Sequence, residues 1–245
     1  MILGLGLLLF ALVAPLWPAE AQPPARSEVV GLPGYDQRVR GSRELLRSLR
    51  TPAEPSTVEH LNRLVFESLA HGDPAPIGAT QNWLAYCTGL VHPDLALTQD
   101  PERLARGGIG LCSDAVIVLL AVARRAGYEA QMVDLGGHLV ARVAHDGREW
   151  LADPDFGVVF PGTLAELEQP DRLAQVEAAL LAAGHSPRRV AQHVAALGSA
   201  EDNRILPAGV LSPRLALAER ALDVLAWLLP LLLALACGAR LVRGQ

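Results

Sequence analysis

The stretch GGIGLCSDAVIVLLAVARRAG, residues 107–127, sets three glycines ahead of a cysteine and the cysteine ahead of a long apolar run. Its apolar face, basic last turn (Arg124, Arg125) and closing Gly127 predict a buried helix of about fourteen residues beginning at Cys112. Upstream, SRELLRSLR (42–50), STVEHLNRLVFESLAHG (56–72) and ATQNWLAYCTGLVH (79–92) also read as helices, with Ser56 and Glu59 forming a capping box for the second. Downstream the period changes. YEAQMVDL (128–135), GHLVARVAH (137–145) and REWLADPD (148–155) show the alternation and β-branched content of strands, and Asp146-Gly147 marks a two-residue hairpin between the last two. From Thr163 to about Leu197 the spacing is helical again, broken at GHSP (184–187). An antiparallel meander following a central helix defines an α+β domain over roughly residues 40–200 rather than a doubly wound sheet.

Both ends of the 245-residue chain are apolar. Residues 1–21 end in Ala19-Glu20-Ala21 after an apolar run, the pattern of a signal peptide, with an uncleaved N-terminal anchor as the alternative. Residues 22–42 read as a polar linker, 43–162 as the main domain and 163–212 as a helical extension. The nineteen residues 221–239 lie between Arg220 and Arg240, and as a helix rising about 1.5 Å per residue they just cross a hydrocarbon core of about 30 Å. They are expected to form a transmembrane helix, leaving 240–245 as a cytoplasmic tail. The domain would then face the periplasmic or extracellular side of the cytoplasmic membrane. A formal net charge of −5 and scattered arginines exclude a nucleic-acid partner. Of the three cysteines, Cys237 falls in the expected anchor, so Cys87 and Cys112 do not amount to a disulfide framework.

A thiolate is the reactive form of cysteine, and a helix N-terminus favours negative charge through its dipole and unpaired N–H groups. Gly107, Gly108 and Gly110 allow a close approach to it. A base is the next requirement, and His138 opens a strand. With Asp146-Gly147 as a two-residue turn, facing positions sum to 293. His138 then lies opposite Asp155 and diagonal to Asp153, both on its own face, while Leu139, Ala141, Val143, Trp150 and Ala152 point to the core. Pro154 has no N–H for the ladder, which favours Asp153 as the carboxylate that stays within reach of the imidazole. His145 points to the opposite face, so the two histidines are not expected to share a metal; no metal and no cofactor are expected.

These residues resemble the transglutaminase-like superfamily of cysteine acyltransferases and proteases, distantly papain-like. The resemblance covers about 81–160: Gly110-Leu-Cys112 with Asp114-Ala115 behind it, an apolar helix ending Arg-Ala-Gly127-Tyr128, then Gly137-His138, then Trp150-Leu-Ala-Asp153-Pro154. It implies a transglutaminase-like/papain-like core with the nucleophile at the N-terminus of a central helix packed on an antiparallel sheet. It also implies Cys112 as nucleophile, His138 as base and Asp153 as the orienting acid. The family draws an oxyanion donor from upstream of the cysteine, for which Gln81, Asn82 and Trp83 are candidates. Leu139 departs from the aromatic that many members carry shortly after the histidine, which bears on substrate class.

Three readings of Cys112 stand: a catalytic thiol, an inert cysteine in a core or a silent binding domain, and a disulfide partner of Cys87. The first gives a membrane-anchored thiol enzyme that transfers acyl groups through a Cys112 thioester, with hydrolysis of a peptide or amide bond as the default outcome. The second gives a scaffold or peptide-binding module with envelope protein partners. His92, His185 and His193 read as solvated.

Overall fold

The computed structural model describes residues 35–51, 56–74, 76–206 and 212–243. The expected signal peptide, most of the expected linker and the end of the expected tail lie outside the described residues. The chain divides into a larger unit, residues 24–74 and 100–211, and a smaller one, residues 1–23, 75–99 and 212–245.

The larger unit is α+β. Helix α1 (Tyr35–Arg50) begins inside the stretch read as linker, and α2 (Val58–Ser68) follows. Thr57, not Ser56, caps α2, its hydroxyl accepting the His60 N–H at 3.2 Å. Strand β1 (Ala70–His71) pairs in parallel with β2 (Ile109–Gly110), a ladder the sequence did not announce because two-residue strands carry no period. The short helix α4 (Pro101–Gly107) leads into β2, and α5 (Cys112–Arg125) is the central helix. Its middle turns are apolar on every side and sit in the core: Val116, Val118, Leu119 and Val122 have no exposed surface, while Arg124 and Arg125 of the last turn are exposed. It ends in a Schellman motif, with Gly127 at φ +89°, Gly127 N–H on Arg124 C=O and Tyr128 N–H on Ala123 C=O.

Strands β3 (Glu129–Leu135), β4 (Leu139–His145), β5 (Arg148–Asp153), β6 (Val158–Pro161) and β7 (Asn203–Leu206) form one antiparallel sheet in the order β6-β5-β4-β3-β7. Asp146 and Gly147 both take positive φ, the two-residue turn expected, and β4–β5 partners such as Ala141 and Ala152 sum to 293. Leu139, Ala141, Val143 and Ala152 pack with α2 and α5. The opposite face is also covered. Val140, Leu151 and Phe156 bury against α7 (Pro170–Ala182) and α8 (Pro187–Gly198), which follow the one-turn helix α6 (Leu164–Leu167). The helical extension is therefore a third layer of the domain, and each fully buried leucine in it, such as Leu180 and Leu197, contributes about 1.5–3 kcal/mol of transfer free energy.

The smaller unit holds α3 (Trp83–Gly89), a 3₁₀ turn (Pro93–Ala96) and the long helix α9 (Pro213–Arg243). Helix α9 continues through Pro230, which cannot donate to the carbonyl of Ala226 four residues back. The Trp83 indole N–H donates to that carbonyl instead, at 3.0 Å. Asn82 donates to Asp223 at 2.7 Å, and Glu219 accepts the Gln99 N–H at 2.8 Å. Among the described residues no helix is long and apolar enough to cross a membrane. The transmembrane helix expected over 221–239 is therefore not found among the described residues: that stretch is part of α9, where Asp223 lies within it and Glu219 and Arg220 flank it, while the side chains at 237, 238 and 240 lie outside the described residues.

Candidate functional site

Leu111 precedes α5 in extended conformation, and its N–H is bound by the carboxylate of Asp114 at 2.9 Å, which closes the helix start where a Ser or Thr cap is missing. Gly110 is needed there: a Cβ on it would stand 2.6 Å from Asp114 Cβ. Burial raises the Asp114 carboxyl above its ordinary range, against the lowering effect of the Leu111 N–H. Cys112 is half-buried at the first position of the helix, and both Cys112 and Cys87 are free thiols.

His138 follows a two-residue turn of Gly136 and Gly137, both at positive φ, closed by the Leu135 N–H on the His138 carbonyl at 2.8 Å. The turn sets the imidazole at the start of β4. Asp153 ends β5 and is almost completely buried. Its Oδ1 accepts the N–H groups of Asp155 at 2.9 Å and Phe156 at 3.0 Å, and its Oδ2 lies 2.7 Å from His138 Nε2. Asn62, fully buried on α2, donates its amide to the carbonyls of Asp153 at 3.2 Å and Val158 at 3.1 Å, clamping the turn that carries the carboxylate.

Burial works against a charged His138, yet the hydrogen bond and charge of Asp153, together with the nearby Cys112, outweigh it and raise the imidazole to about 10. Burial likewise resists ionisation of Asp153, but the hydrogen bond and positive charge of His138 hold its carboxyl below the ordinary range. His138 thus has a carboxylate on one side and the Cys112 sulfur on another.

Asp155, the other carboxylate on the expected face, turns away: its oxygens meet His71 Nδ1 at 2.7 Å and Arg189 Nη2 at 3.2 Å. Gln81, Asn82 and Trp83 belong to the smaller unit and are engaged within it. Gln81 Oε1 accepts the Gly78 N–H, Asn82 Oδ1 caps α3 through Leu84 and Ala85, and the Trp83 indole serves Ala226.

Two histidines read as solvated are not. His193, on α8, is 3% exposed, with Nδ1 3.3 Å from Asp153 Oδ2 and its ring centroid 5.2 Å from that of His138. His185 Nε2 meets the Phe156 carbonyl at 2.7 Å. Burial pushes the His193 imidazole below its ordinary value, against the pull of Asp153. The only available sequence signal for His193 was its spacing of three from Val190 and four from Leu197, on the apolar stripe of α8.

His138, Asp153 and His193 offer ligand atoms within 4.8 Å of one another. Tetrahedral ligands at about 2.0–2.2 Å from an ion stand roughly 3.3 Å apart. His138 Nε2 and Asp153 Oδ2 are at hydrogen-bond distance, 2.7 Å, and Asp153 Oδ1 is already committed to two backbone N–H groups. The His138–Asp153 pair therefore fits a hydrogen bond rather than two adjacent ligands, while His193 Nδ1, 3.3 Å from Oδ2, stands at ligand spacing. Comparison of the chain with models of known families, with curated proteins and with solved structures gives no match.

Proposed function

We propose that the larger unit is a transglutaminase-like thiol enzyme in which Cys112 attacks an amide or peptide carbonyl, His138 handles the proton and Asp153 orients His138. The observation that carries this reading is a histidine hydrogen-bonded to a buried aspartate, with its charge favoured by a cysteine at the start of a central helix. With Nε2 committed to Asp153, Nδ1 is the nitrogen that serves the sulfur.

A cationic His138 beside the sulfur favours negative charge developing there. The thiolate adds to the carbonyl carbon, and the oxyanion meets the first backbone N–H groups of α5, those of Cys112 and Ser113, which precede the N–H groups that bond to the Leu111 carbonyl. Collapse breaks the C–N bond, and the imidazolium gives its proton to the departing amine. In the resulting thioester the sulfur carries no charge, so one of the influences that raise His138 is gone. The neutral imidazole then accepts a proton from water as the water attacks the thioester, releasing the acid and restoring the pair. Water outside the membrane is abundant, which favours hydrolysis over transfer to an amine.

Export rests on residues 1–21, and association with the cytoplasmic membrane rests on the apolar side chains that α9 exposes, among them Leu217, Val224, Leu232 and Leu235. The domain is assigned to the outer side, where a peptide or amide-bearing envelope component is the substrate. Iodoacetamide labelling at about pH 6, against an ordinary thiol pKa near 8.5, tests the thiol chemistry. Cys112 is expected to label rapidly and Cys87 slowly; equal sluggishness at both, read by mass spectrometry, refutes the enzyme.

A further inference from the structure

Asp153 is faced by two imidazoles, and the proposed chemistry uses only one. His193 is carried by α8, 55 residues beyond His138, and is buried between His138 and Phe156, with ring centroids at 5.2 Å and 4.9 Å. Neither of its nitrogens has an aligned hydrogen-bond partner among the described residues, and a buried imidazole without one is costly. The acceptor it faces is Asp153 Oδ2, 3.3 Å from Nδ1.

We infer that His193 is a positioning residue of the Cys112 site, a neutral imidazole whose Nδ1–H donates to Asp153 Oδ2 and fixes the carboxylate that orients His138. The inference rests on the proposed thiol chemistry for its purpose, although the 3.3 Å approach of His193 Nδ1 to Asp153 Oδ2 stands without it. Oδ1 is held by two backbone N–H groups, so Oδ2 is the oxygen left to orient His138. A second donor on that oxygen restricts rotation of the carboxylate about its Cβ–Cγ bond and keeps the His138 acceptor in one place. Helix α8 is itself anchored over the site, since Arg189 pairs with Asp155 at 3.2 Å and sits 4.5 Å from the centre of the Phe156 ring. The third layer thereby acts on the site through one side chain, by way of Asp153.

Two amide substitutions separate this role from packing. In His193→Asn the amide nitrogen falls where Nδ1 stands, whereas in His193→Gln it falls near Nε2 and misses Asp153. Both remove the ring and create similar voids. The rate of Cys112 alkylation by iodoacetamide at neutral pH is expected to stay near wild type in the Asn variant and to drop about ten-fold in the Gln variant, the equivalent of one modest hydrogen bond. Equal rates in the two variants overturn the inference. Nitrogen-15 shifts of the wild-type imidazoles supply a measurement that needs no variant: His193 is expected as the neutral Nδ1–H tautomer at pH 7, and the Nε2–H tautomer overturns it. Stoichiometric zinc binding by the wild type that is lost in both variants overturns it as well, making His193 a ligand. If wild-type Cys112 proves unreactive, the proposed function fails while the tautomer measurement still decides the His193 contact.

Discussion

Replacing Asp153 by asparagine exchanges one acceptor oxygen for an NH₂ group and leaves the shape of the side chain unchanged. The amide oxygen retains the N–H groups of Asp155 and Phe156, now 2.9 Å and 3.0 Å from Oδ1, so the turn persists. The NH₂ group then faces His138 Nε2 across a 2.7 Å gap. Two donors cannot share that gap, so the imidazole must expose a bare Nε2 and carry its proton on Nδ1, toward Cys112. His138 stands at about 10 against an ordinary 6.5. That gap of about 3.5 pH units corresponds to roughly 5 kcal/mol at about 1.36 kcal/mol per unit. The hydrogen bond to Asp153 leads the influences that raise it, and the Asp153 charge adds to them. A neighbouring charge moves a group by roughly 1–3 pH units, so the His138 midpoint, followed by NMR, is expected to fall by about that much in Asp153→Asn. Turnover on a chromogenic amide, or Cys112 alkylation until such a substrate is found, is expected to drop by up to about 10⁴, as in triads left with the wrong tautomer. Asp155→Asn touches only the His71 and Arg189 contacts and is expected to leave the His138 midpoint in place. A midpoint that stays put in Asp153→Asn, or moves more in Asp155→Asn, refutes the assignment.

Gly110→Ala forces a Cβ to within 2.6 Å of Asp114 Cβ and is expected to cost about 1–3 kcal/mol, seen as a lowered Tm, while Gly107→Ala, where a Cβ meets nothing within 4 Å, serves as the control. Stability should also depend on alkaline pH. Because His138 is raised from 6.5 to about 10, its charge stabilises the fold fully below about pH 6.5, and that contribution is lost as pH rises through about 10. Urea unfolding of wild type should weaken over this window more than that of His138→Gln, and parallel curves would contradict the pairing. The depressed Asp153 carboxyl contributes above the ordinary carboxylate range and is lost on acidification below it. External protease on spheroplasts is expected to digest the domain, and a domain that is protected there and cleaved only after permeabilisation places it inside the cell.

Local chemistry wrote much of this protein into its sequence. An apolar run closed by glycine specifies α5 and its Schellman end, and so places Cys112 first on the helix, because these signals act within a few residues. The Asp146-Gly147 turn sets the β4–β5 register, and strand alternation then puts Asp153 on the His138 face, since period two leaves only one parity. Cap identity was not local: Ser56 and Thr57 are adjacent hydroxyls, and in the fold it is Thr57 that accepts the His60 N–H. Tertiary structure alone decided what covers that face. Two faces of a sheet can each be buried or open, and nothing local to Val140 or Leu151 says that α7 and α8 return to them. Asn62 and His193, 91 and 40 residues from Asp153 in the chain, reach it only because α2 and α8 pack on opposite sides of the sheet. Trp83 likewise had no visible duty until α9 brought beside it the carbonyl that Pro230 leaves without a donor. Such pairings join segments whose separate sequences carry only an apolar stripe, and a stripe states that a side chain is buried without stating against what.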